Sequence, residues 1–80
     1  MRLINQKSLP CHVDIPYDRV WLAAESNVVI AYDGIQNVIL GKYSSQENAV
    51  KAINKLHTKI EQLGSITDYR IFVFPEEAEL

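Results

Sequence analysis

One cysteine, one tryptophan, three glycines and three prolines among 80 residues leave this chain short of the parts that specialised chemistry needs. The lone cysteine excludes an internal disulfide and fits a reducing compartment. Eight Lys and Arg stand against ten Asp and Glu, for a net charge of −2, so charge alone does not drive nucleic-acid binding. Long apolar runs are missing too. The longest, Val28 to Tyr32, falls far short of a membrane span, and Met1 to Gln6 has no apolar core of the kind a signal peptide carries. These absences predict a cytoplasmic protein with no membrane association.

Catalytic and metal constellations are equally scarce. Cys11 and His12 are adjacent, and neighbours on an extended chain point apart, whereas a nucleophilic dyad needs hydrogen-bond contact. His12 and Asp14 share a face with no nucleophile to use them. Cys11, His12 and His57 lack the paired spacing of a four-ligand zinc site. We therefore expect no enzyme activity, no metal and no cofactor.

What is present is alternation followed by one helix. Met1 to Asn5 and His12 to Ile15 read as short strands, the second stopped by Pro16. Arg19 to Ala24, Val28 to Tyr32 and Val38 to Tyr43 read as a meander, with a turn at Glu25-Ser26-Asn27 and a hairpin signal at Asp33-Gly34. Ser44-Ser45-Gln46-Glu47 fits a capping box, with Ser44 as N-cap and Glu47 reaching back to its amide. Ala49, Ile53, Leu56, Ile60 and Leu63 lie on one helical stripe, and Gly64 is placed to end it. A turn over Ser65 to Asp68 leads to a last strand, Tyr69 to Phe74, stopped by Pro75. The expectation is α+β: a mainly antiparallel sheet of five to six short strands, a helix over 45–63 laid on one face, and a final strand over 69–74. Residues 1–75 form a single domain, and 76–80 an acidic, frayed tail.

Two segments place arginine and aromatic side chains together. An extended backbone groups Tyr17, Arg19 and Trp21 against Val20 and Leu22. The same rule groups Arg70, Phe72 and Phe74 against Tyr69, Ile71 and Val73. One helix cannot cover both faces of such a sheet, and we take the aliphatic face to be the covered one. The aromatic and arginine face then needs a partner or ligand, because Trp, Tyr and Arg dominate binding hot spots. The competing reading places one or both sets in the core, with Arg snorkelling outward. Lys51, Lys55 and Lys59 form a basic ridge that either meets a phosphate-bearing partner or is a solvated helix face. Arg70 to Phe74 also resembles the base-stacking strand of RNA-recognition folds, without their glycines or second helix.

Met1-Arg2-Leu3-Ile4-Asn5-Gln6, Asp14-Ile15-Pro16-Tyr17, Leu40-Gly41-Lys42-Tyr43-Ser44-Ser45-Gln46-Glu47-Asn48-Ala49 and Phe72-Val73-Phe74-Pro75-Glu76 resemble a family of small uncharacterised proteins of Firmicute genomes and their prophages. The likeness spans nearly the whole chain and departs from it at Ser8 to His12, which is longer here. It implies a phage or mobile-element setting, where compact proteins inhibit host machinery or sequester nucleotide signals. It carries over no functional residue. The resulting expectation is a non-enzymatic, homo-oligomeric binding protein, a dimer before other states, acting as a counter-defence factor that sequesters a nucleotide-like molecule through Tyr17, Arg19, Trp21, Arg70, Phe72 and Phe74. The alternatives are an inhibitor or adaptor that grips a host protein through the same face and, third, an RNA-binding module.

Overall fold

Residues 1–63 and 70–80 are described by the computed structural model. The meander is present: β3 (Trp21–Glu25), β4 (Val28–Tyr32) and β5 (Asn37–Lys42) form an antiparallel three-stranded sheet in that order. Its first turn holds Ser26 at φ 56°. The second uses Asp33, whose carboxylate accepts from the amides of Ile35 and Gln36 at 2.9 Å each, while Gly34 takes φ 95°. Those amide bonds, Gln36 first, hold the Asp33 carboxyl below its ordinary range. Ile30 pairs with Ile39 but Val29 with Gly41, so Leu40 is an extra residue in a β-bulge and turns into the core.

The remaining strands build a second sheet, and here the expectation of one meandering sheet fails. β1 (Arg2–Ile4) lies between β2 (Asp14–Pro16), antiparallel to it, and β6 (Ile71–Val73), parallel to it. The fold remains α+β, with six strands among the described residues in two three-stranded sheets. The second strand sits two residues later than predicted. Asn5 explains the shift: its carboxamide accepts from the Val13 amide at 3.0 Å and donates to the Cys11 carbonyl at 2.7 Å. That side chain occupies the place a strand partner would take, leaving 14–16 to pair with β1.

Helix α1 (Gln46–Leu63) crosses the meander and buries Ala49, Ala52 and Leu56 completely, with Ile53, Ile60 and Leu63 packed beside them. Its cap differs from the predicted box. The Ser45 hydroxyl accepts from the Asn48 amide at 3.2 Å, and Glu47 pairs with Lys51 at 3.9 Å rather than reaching back. Ser44 is held from outside the helix: Glu77 accepts from its amide at 3.0 Å and its hydroxyl at 2.8 Å, and also from the Asn48 carboxamide. The predicted frayed tail is therefore docked. Glu77–Glu79 is one turn of 3-10 helix with its own capping box, and Leu80 packs on the core. Gly64 as a helix terminator, the turn over 65–68 and the strand start at Tyr69 lie outside the described residues.

Gln6 joins the two sheets. Its amide donates to the Leu40 carbonyl at 2.9 Å, its side-chain oxygen accepts from the Lys42 amide at 2.7 Å, and its side-chain nitrogen donates to the Pro75 carbonyl at 3.0 Å. Asn5 and Gln6 are both 2 % exposed, and burial at that level demands such satisfaction.

Candidate functional site

Alternation along the meander assigns its two faces. Leu22, Ala24 and Val38 pack on the core with fully buried Val29 and Ala31, under α1. The other face carries three cross-strand rows: Trp21, Tyr32 and Asn37; Ala23, Ile30 and Ile39; Glu25, Val28 and Lys42. Among the described residues, none of these nine belongs to the buried core or to the side chains packed against it. Trp21 is 61 % and Ile39 41 % exposed.

The aromatic end is ordered by its own contacts. Trp21 stacks on Tyr32 with centroids 4.3 Å apart and planes 14° from parallel, and aromatic pairing adds to simple area burial. The Tyr32 hydroxyl donates to the Glu25 carboxylate at the far end of β3. Ala23 lies between Trp21 and Glu25 on that face, and its single methyl leaves room for the phenol to reach across. The Glu25 acceptor, with burial second, raises the Tyr32 pKa above its ordinary value. The indole is thus stacked on Tyr32 while the residue stays 61 % exposed.

The six residues expected to share a face do not. Tyr17 and Arg19 lie in a turn of 3-10 helix, Tyr17–Arg19, so the period-2 grouping with Trp21 is broken before β3 begins. Pro16, extended at φ −76°, turns the chain there, and the Tyr17 amide is drawn to the Met1 carbonyl at 2.9 Å. Tyr17 packs on the core. Arg19 is exposed and lines a hollow of about 330 Å³ with Met1, Arg2, Pro16 and Asp18, whereas Trp21 borders a separate one of about 240 Å³ with Tyr17, Val20, Leu22, Ile53 and His57.

In β6 the assumed orientation is reversed. Phe72 aligns with fully buried Leu3 of β1, and aligned residues share a face, so Phe72 and Phe74 turn inward. Phe74 is 1 % exposed and meets Phe72 edge-on at 5.2 Å and 88°. Ile71, at 60 % exposed, and Val73 face out. Arg70 is exposed, and its carbonyl accepts from the Arg2 amide at 2.7 Å. The core reading therefore holds for β6, while in β3 the aliphatic side is covered as expected.

Tyr32, Ile30, Ile39, Glu25 and Lys42 were not singled out from sequence. The available signal was that Val28 to Tyr32 is apolar on both faces, which in a sheet with a single helix leaves one face uncovered. Among the described residues no three His, Cys, Asp or Glu side chains gather as a metal ion requires, and no helix is long and apolar enough to cross a membrane. No protein-family model matches the chain, and comparison with curated proteins and with solved structures returned no match.

Proposed function

We propose that this is a non-enzymatic binding protein whose outer meander face, centred on Trp21, Tyr32, Ile30 and Ile39, is a protein-contact surface. The supporting observation is an indole 61 % exposed yet stacked on Tyr32. Rigid aromatic anchors beside an aliphatic row are what protein interfaces use, since little side-chain entropy is lost on contact. A nucleotide site would need a ring platform and a phosphate-binding arginine in one concavity, but Trp21 and Arg19 line different hollows. In the mobile-element setting that the resemblance implies, this face serves protein contact rather than the scavenging of nucleotides.

The chain has one tryptophan, so its fluorescence reports this face alone. Titration with linear and cyclic nucleotides is expected to change neither Trp21 emission nor the melting temperature. A saturable quench with a raised melting temperature, both lost in Arg19→Ala, would overturn the reading in favour of ligand sequestration.

A further inference from the structure

We infer that the outer meander face pairs with the same face of a second copy, about a two-fold axis that runs along the strands. The inference rests on the protein-contact reading above and names the partner. Two identical faces can be stacked by a two-fold axis only if that axis lies in the plane between them, and aligned sheet packing sets it close to the strand direction or close to the perpendicular. The cross-strand register distinguishes these arrangements.

An axis along the strands lays β3 over β5 of the partner subunit and keeps every row in place. Glu25 then faces Lys42 of the partner subunit, and Lys42 faces Glu25 of the partner subunit, because both belong to the row through Val28. Small Ala23 meets large Ile39 of the partner subunit, and Ile30 meets its own copy on the axis. An axis across the strands reverses the rows instead. It sets the Glu25 carboxylate on the indole of the partner's Trp21, leaves Lys42 over an Asn37 amide, and stacks the two Ile39 side chains at one edge and the two Ala23 methyls at the other. Charge and volume both select the first arrangement. Aligned sheets pack about 30° apart, a skew that side chains as long as Glu and Lys absorb at the ends of the rows.

Three strands by five residues cover roughly 250 Å² of each copy in projection, well under the ~800 Å² per partner of a standard interface, so the dimer is a weak, transient one that dissociates at tens of micromolar.

The test uses Glu25→Lys and Lys42→Glu, each folded as judged by an unchanged far-UV spectrum. In either variant alone like charges meet at both ends of the interface, and sedimentation should show dimerisation weakened at least about tenfold. Mixing the two variants restores an opposite pair at each end, so the heterodimer should recover near-wild-type affinity. A mixture no tighter than the single variants, or a wild-type protein still monomeric at about 100 μM, would overturn the two-fold arrangement. The contact-surface reading fails by a different sign: association that leaves Trp21 as open to acrylamide quenching as in the monomer.

Discussion

Gln6 and Lys42 are bonded as neighbouring strands would be, with a side chain replacing one of the backbones. The Gln6 carboxamide oxygen accepts from the Lys42 amide at 2.7 Å, two positions along β5 from where the Gln6 amide donates to the Leu40 carbonyl. Gln6→Ala leaves the Lys42 donor without its partner and should cost about 2–3 kcal/mol, read from urea unfolding. Gln6→Glu can still accept but cannot donate to the Pro75 carbonyl until it is protonated. Burial raises the pKa of that introduced carboxyl in the folded state, so its contribution is complete below the unfolded pKa and lost as pH rises through the folded one. The variant should gain stability relative to wild type on acidification. A constant difference between them across pH would refute this role for the side-chain nitrogen.

Glu77 predicts the opposite pH response. Bonds from the Ser44 amide, the Ser44 hydroxyl and the Asn48 carboxamide lower its pKa. A carboxylate depressed on folding stabilises above its unfolded pKa of about 4.3 and loses that contribution as pH falls through the folded value. Wild-type protein should therefore lose melting temperature in acid. Glu77→Gln should start lower at neutral pH and lose less over the same interval, as followed by circular dichroism.

Two backbone positions give predictions of opposite sign. Ser26 carries a side chain at φ 56°, in the left-handed region, so Ser26→Gly should stabilise by about 0.5–1 kcal/mol. At Gly41 a Cβ would come within 2.7 Å of the Tyr43 ring. The ring cannot yield freely, because its hydroxyl donates to the Pro75 carbonyl at 2.8 Å. Gly41→Ala should destabilise by about 1–3 kcal/mol, and Gly41→Ala combined with Tyr43→Leu should cost less than the sum of the two single changes.

Phe74 and Trp21 separate fold from surface. Phe74→Ala empties a fully buried site and should cost about 3–5 kcal/mol. Trp21→Ala removes an exposed ring and should change thermal stability little while weakening association. Equal losses of melting temperature in the two variants would place Trp21 among the structural residues instead.

How legible each element was depends on how local its cause is. The Asp33-Gly34 turn, the Val28–Tyr32 strand and the stripe of Ala49, Leu56 and Ile60 rest on periodicity and neighbours, and these formed as read. The helix start went astray by one residue because Ser44 and Ser45 are equivalent candidates until Glu77 engages one of them from the far end of the chain. Tyr17 to Leu22 alternates well enough for a strand, yet the Met1 carbonyl captures the Tyr17 amide and the first three residues coil. Asn5 and Gln6 look like ordinary bend residues, and nothing near them in sequence marks a polar pair that will be buried. The inward turn of Phe72 follows from alignment with Leu3, a partnership no local pattern encodes.

The parallel union of β1 with β6 also constrains how the molecule is made. Gln6 and Pro75 stand sixty-nine positions apart, so β1 must wait for the whole intervening segment to be made before its parallel neighbour exists. The meander, built from adjacent segments, is free to zip first, and closure of the split sheet is the slow step that loop entropy imposes. Until then Leu3 has no roof, and a nascent chain stalled before residue 71 exposes a sticky edge to chaperones and proteases.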